Sequence, residues 1–227
     1  MDLSGLVTPA NCTTAPLVGF DIETDTASGG LDPETAAVVA TAVSTDSCDE
    51  VFTGYEAELL AKTDHFLSTI PTGYLVTWNG STFDLPFVAR RAELLGIDLG
   101  LELSDDPSRG SRHEPDRRAV RGRWHNLVQL DGYVLYRADV GRSLGLSCGL
   151  KPLARLVGMD PVELDREALH LASAEEVDAY VASDARTAAE LVRRRMPAAA
   201  LAADHMLTTV HPASTTGTGN PPRAARD

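Results

Sequence analysis

LVGFDIETD, Leu17 to Asp25, is the stretch on which the reading of this chain turns. Side chains alternate between the two faces of a β-strand, so Val18, Phe20 and Ile22 form one apolar face while Asp21 and Glu23 emerge together on the other. Two carboxylates at the end of a buried strand repel each other and are costly to desolvate unless a positive charge lies between them. A divalent cation meets that need. Gly19, one step back on the same face, has no side chain and is expected to leave room beside Asp21 for an ion or a ligand backbone. The plainer alternative is a strand that runs out into a polar loop, since Asp25 and Asp32 follow closely. The choice depends on whether the rest of the chain supplies matching acids.

Working outward, residues 1–16 hold Pro9, Pro16 and several Thr and Asn without periodicity and read as an irregular lead-in. After the first strand, Ala36 to Ser44 and Glu50 to Thr53 read as two further strands of an antiparallel meander. Leu59, Leu60, Thr63, Phe66, Leu67 and Ile70 share one helical face, which predicts an amphipathic helix from Glu56 to Ile70. Gly73 to Trp78 is a fourth strand, Asp84 to Leu95 a helix closed by Gly96, and Leu127 to Leu130 a fifth strand. Helices are expected over Leu150–Val157 and Ser173–Met196. This order predicts an α/β chain with a ribonuclease-H-like fold: a mixed five-stranded sheet with an antiparallel edge and a parallel half, flanked by helices. In open α/β sheets the ligand site lies at the carboxyl ends of the strands, where Asp21 and Glu23 stand. The domain is expected to span residues 17–210, with a disordered tail at 211–227.

A second acid, Asp84 in TWNGSTFDLPF, sits where a strand has ended and a helix begins; N-capping alone would account for it. The third motif is SAEEVDAYVASDARTAAEL. Ser173 and Glu176 fit a capping box, and Val177, Tyr180, Val181, Asp184, Ala188 and Leu191 then share one face of the helix. An acid in the middle of a buried stripe costs several kcal/mol unless it is paired, and a metal ion would remove that cost. Tyr180 has a simple alternative as a core aromatic.

Four acids from two strand ends and a late helix, with a tyrosine one turn before the last, resemble the DEDD superfamily of 3′-to-5′ exonucleases. The motifs here are DIET, NGSTFDLP and YVASD. The Tyr-x-x-x-Asp form is similar to the tyrosine-bearing branch, and the Asn-x-x-x-Phe-Asp-x-Pro pattern is similar to the proofreading domain of family B DNA polymerases. Each motif is weak alone; their joint occurrence in order is strong. The resemblance implies two-metal phosphodiester hydrolysis with Mg²⁺ or Mn²⁺, which suit an all-oxygen site. It makes Asp21, Glu23, Asp84 and Asp184 the metal ligands, with Asp21 bridging both ions and Tyr180 orienting the attacking water. Thr24, Asn79 and Phe83 would contact the strand. No polymerase segment follows in the sequence, so the expectation is a free-standing exonuclease acting on single-stranded DNA 3′ ends. An RNA substrate, as in ribonuclease-D-like relatives, and a non-catalytic nucleic-acid-binding module are the alternatives.

The net charge of −13 runs against a nucleic-acid partner, because phosphate binding usually comes with a basic surface. It is a weak objection, since an acidic metal site needs only one basic stretch nearby. Residues 104–126 supply one: Arg109, Arg112, Arg117, Arg118, Arg121 and Arg123, read as a loop insertion with nucleic-acid contact. The three cysteines are far apart and form no Cys-x-x-Cys, which argues against a disulfide framework and against structural zinc. No basic leader and no apolar run of membrane-spanning length occurs, so a cytoplasmic protein with no membrane partner is expected. Gly141-Arg142-Ser143-Leu144-Gly145 matches a serine-hydrolase elbow in letters only, because no strand leads directly into it.

Overall fold

A computed structural model of the chain describes residues 15–28, 30–106 and 119–205. Its centre is a seven-stranded mixed sheet in the order β3-β2-β1-β4-β7-β6-β5. The strands are β1 (Leu17–Thr24), β2 (Val38–Ser44), β3 (Asp49–Thr53), β4 (Gly73–Thr77), β5 (Leu101–Asp105), β6 (Val120–Trp124) and β7 (Leu127–Asp131). β1, β4 and β7 run parallel, and the expected meander of β1, β2 and β3 is antiparallel. The helices are α1 (Glu56–Thr69), α2 (Asp84–Leu95), α3 (Gly132–Tyr136, continued by a π-helical turn over Arg137–Gly141 and a short turn over Arg142–Leu144), α4 (Leu150–Leu156) and α5 (Ala174–His205).

Two strands exceed the five expected. β5 and β6 form a hairpin that pairs antiparallel and attaches to β7 through β6. The arginines and glycines of residues 104–126 predict a loop, but both ends of the stretch alternate and pair as strands. Val120, Gly122 and Trp124 face the core while Arg121 and Arg123 face outward, the period of a half-buried strand. Gly122 permits a close approach, because a Cβ there would meet the Leu85 side chain at 2.4 Å. The remainder of the basic stretch, with Arg109, Arg112, Arg117 and Arg118, lies outside the described residues, as do the lead-in up to residue 14 and the tail beyond 205.

The sheet is covered on both faces. Val18, Phe20 and Ile22 of β1 pack under α1 and α2 with Leu59, Leu60, Leu67, Leu85 and Val88, and Trp124 meets Phe20 edge-on at 5.3 Å. Each such fully buried side chain contributes roughly 1.5–3 kcal/mol. On the other face Tyr74, Val76 and Leu130 pack with Leu135, Leu153, Leu191 and Val192 of the helices α3, α4 and α5. Ala40 and Ala42 of β2 complete that face against Val181 and Ala185. The sequence pattern expects the last helix to end at Met196, before Pro197. It continues through Pro197 to His205, since proline already holds a helical φ and the residues after it are mostly alanine, the best helix former.

Candidate active site

β1 delivers Asp21 and Glu23 to the face covered by α5, as alternation requires. What brings Asp184 to them is Gly19. A Cβ at that position would lie 2.0 Å from the backbone carbonyl oxygen of Ala185 and 3.2 Å from the Ala189 Cβ. The space expected to receive an ion or a ligand is therefore filled by the helix backbone, and the missing side chain serves to seat α5 directly on β1. One turn of that seating places Asp184 beside the strand. Carboxylate oxygens of Asp21, Glu23 and Asp184 all lie within 4.8 Å of one another. Glu23 is 7% exposed and Asp184 is fully buried.

The start of α5 is fixed as its sequence predicts. Ser173 Oγ accepts the Glu176 N–H at 3.3 Å and Glu176 accepts the Ser173 N–H at 2.8 Å, a reciprocal capping box. The Ser173 bonds also hold the Glu176 carboxyl below the ordinary range. Tyr180 is buried, one turn before Asp184.

Asp84 is buried at the first residue of α2, just beyond β4, whose carboxyl end adjoins that of β1. It does not belong to the close triplet of acids. Nor is it the N-cap, which is Phe83 without a side-chain capping bond. Phe83 itself packs at 5.4 Å on Phe87, half-buried against the core. Asn79 adopts a positive φ of 70°, and its side-chain oxygen accepts the Thr82 hydroxyl at 2.8 Å. The Thr24 hydroxyl is buried and donates to the Gly30 carbonyl. Asn79, Phe83 and Thr24 thus all have structural partners. Arg121 and Arg123 answer Asp106 and Glu102, at 3.1 and 2.5 Å.

Sequence reasoning missed Lys151. Its ammonium lies 3.4 Å from Asp184 Oδ1 and 3.6 Å from the centre of the Tyr180 ring, donates to the Val162 carbonyl at 2.8 Å, and has a side chain only 12% exposed. Trp78 Nε1 donates to the Cys148 carbonyl at 3.0 Å and steadies the segment that leads into α4. The available signal was compositional: among 20 basic residues only Lys62 and Lys151 are lysine.

The donor set fits a hard divalent cation. Three carboxylates this close raise one another's energy by about 3 kcal/mol per ionised pair at an effective dielectric of about 20. One ammonium offsets only part of that. All the ligand atoms on offer are oxygens, the set that suits Mg²⁺ or Mn²⁺. A cavity of about 330 Å³ opens between the end of β1 and the start of α5, walled by Thr24, Asp25, Val39, His170, Val177 and Asp178 among others; none of the site acids lines it. The Gly141–Gly145 segment follows a π-helical turn and not a strand, so it is no nucleophile elbow.

A mixed α/β domain with three acids, two of them buried, gathered at the carboxyl edge of its parallel strands is the class that fold and site define. Within it, the family model for the exonuclease domain of family B DNA polymerases matches residues 8–147, more than half of the chain, and the chain belongs to that family of nucleases. Two DNA polymerase epsilon catalytic subunits of Arabidopsis thaliana, B and A, are 33% and 32% identical to it over 113 residues. Those alignments take in 49% of this chain but 5% of each relative. The family B DNA polymerase of the archaeon Pyrobaculum calidifontis has a similar fold, with a TM-score of 0.68 at 18% identity, over 88% of this chain and 27% of that one. Among the described residues, no helix is long and apolar enough to cross a membrane.

Proposed function

We propose that this chain is a metal-dependent 3′-to-5′ exonuclease with a ribonuclease-H-like fold, which removes nucleotides from the ends of single-stranded DNA. The observation that carries the reading is the convergence of Asp21, Glu23 and Asp184 within 4.8 Å, on a fold whose family is nucleolytic. Asp21, Glu23 and Asp184 would hold the cations, with Asp84 contributing from the adjacent strand end. When bound, Mg²⁺ or Mn²⁺ supplies a water of lowered pKa as nucleophile and neutralises charge on the phosphate.

The chain's own residues do the rest. Tyr180 presents its phenol one turn along the helix from Asp184, about 6 Å on the axis, where it orients the attacking water. Lys151 lies over the Tyr180 ring and against Asp184, so it fixes the direction of both side chains at once. The cavity beside Thr24, about 330 Å³, is large enough for the terminal base.

The test incubates matched 5′-labelled single-stranded DNA and RNA with the protein and Mg²⁺ or Mn²⁺, with EDTA as control. A ladder that shortens from the 3′ end, faster on DNA and abolished by EDTA, is expected. Asp21→Ala and Asp184→Ala should each lower the rate by more than about 100-fold, beyond what loss of an outer partner of a metal ligand costs, with circular dichroism unchanged. Activity that survives in Asp184→Ala overturns the site assignment, and a ladder on RNA alone overturns the substrate.

A further inference from the structure

The segment between β4 and α2 delivers Asp84 to the strand edge, and its own bonds fix the shape of the turn but not its place against the sheet. Asn79 holds a φ of 70°, a left-handed conformation that asparagine enters more readily than most residues, and its carbonyl accepts the N–H groups of Thr82 at 3.0 Å and Phe83 at 3.2 Å. The group that ties this turn to the neighbouring strand is Asp131, at the carboxyl end of β7, beside β4. Asp131 is 7% exposed. Its Oδ1 accepts the backbone N–H of Asn79 at 3.0 Å and that of Tyr133 at 3.1 Å. Its Oδ2 accepts the backbone N–H of Ser81 at 3.3 Å and also the Ser81 hydroxyl. Ser81 is itself buried, and its carbonyl accepts the Val120 N–H at 2.8 Å, where β6 begins. Gly80 between them has no latitude, since a Cβ there would lie 2.5 Å from the Thr77 side chain.

Capping α3 through the Tyr133 N–H occupies one contact of this carboxylate. The other three go to a turn that belongs to a different strand. We propose that Asp131 is a positioning residue: it sets the Asn79–Phe83 turn and through it the place of Asp84 relative to Asp21, Glu23 and Asp184. This rests on the reading of those acids as metal ligands. A carboxylate is required because both oxygens accept from backbone N–H groups. In Asp131→Asn the new amide NH₂ faces a backbone donor whichever way it turns, Asn79 and Tyr133 on one side or Ser81 on the other, and one end of the turn is released.

The experiment compares the unmodified protein with Asp131→Asn, Ser81→Ala and Thr63→Val. The last loses the buried 2.6 Å contact with Thr41, whose side chain alternates with Ala40 and Ala42 and so lies on the face of the sheet away from α5 and the acids. Mn²⁺ affinity is measured by titration calorimetry, stability by thermal melting, and cleavage of labelled single-stranded DNA as a function of Mn²⁺ concentration. Asp131→Asn is expected to weaken Mn²⁺ binding by about 10-fold or more, the cost typical of an outer partner of a metal ligand. The Mn²⁺ needed for half-maximal cleavage should rise by the same factor, with much of the rate recovered at saturating Mn²⁺. Ser81→Ala should fall between, while Thr63→Val lowers the melting temperature and leaves the affinity alone. Unchanged affinity in Asp131→Asn overturns the proposal. If that variant does not fold, unchanged affinity in Ser81→Ala overturns it equally. An unmodified protein that binds Mn²⁺ and cleaves neither DNA nor RNA refutes the exonuclease reading while the affinities still decide the role of Asp131. One that binds no Mn²⁺ refutes both.

Discussion

Lys151 concentrates the electrostatics of this site in one side chain. It approaches a fully buried carboxylate on a stem that is itself nearly buried, and it touches the aromatic ring one turn away. Taking away one member of such a buried pair typically costs about 3–5 kcal/mol, because the remaining charge is left without its partner. Lys151→Met, which keeps the length of the side chain, is therefore expected to lose about 3 kcal/mol in metal-free buffer, read from urea denaturation. Mn²⁺ should stabilise that variant more than the unmodified protein, since the added cation restores what the lysine supplied. Equal stabilisation of the two would show that Lys151 and the cation do not share the same field.

At the scale of elements, the decisive contact is β1 against α5. Neither supplies a whole site: the strand contributes two acids, the helix one acid and a tyrosine, and Gly19 sets the distance between them. Gly19→Ala forces a methyl group into the Ala185 carbonyl, 2.0 Å from its ideal position. Backbone cannot rotate away as a side chain can, so the helix must move. The expected cost is about 1–3 kcal/mol or more, seen as a lower urea midpoint with unchanged slope. Mn²⁺ affinity should fall along with it, because the same displacement draws Asp184 from Asp21. A variant that loses stability and keeps its affinity would show that the acids adapt to the shift. The β5–β6 hairpin illustrates another element-level effect. Arg121 and Arg123 alternate outward in answer to Asp106 and Glu102, so their contribution to a basic surface is smaller than their number implies.

For the whole molecule, a cation bound only by the folded state must stabilise it. At 100 times its dissociation constant the gain is about 2.7 kcal/mol, which in a domain of this size raises the melting temperature by roughly 5–10 °C. EDTA should reverse the rise, and Asp184→Ala should show none. A melting temperature indifferent to Mn²⁺ would mean that the acid cluster holds no cation. The acidic charge of the chain as a whole, −13, opposes a polyanionic strand at long range. Under the proposed function, recognition therefore falls to local contacts at the acid cluster and its bound cation.

Much of this was legible in the sequence for a simple reason: strand and helix periodicity are local, and so is the spacing of acids along them. Alternation put Asp21 and Glu23 on one face, the four-residue step put Tyr180 and Asp184 on another, and Ser173 with Glu176 marked where that helix begins. The same rule applied to Val120–Trp124 would have revealed the hairpin, had its arginines not drawn the reading toward a loop. Tertiary structure alone decided what depends on the meeting of distant segments. It gave the space above Gly19 to the Ala185 backbone, brought Lys151 to Asp184 from a separate helix, left Asp84 outside the close triplet, and tied Asp131 to a turn about fifty residues away. Contacts of that kind arise when packed elements approach one another, and no periodicity along a single segment encodes the approach.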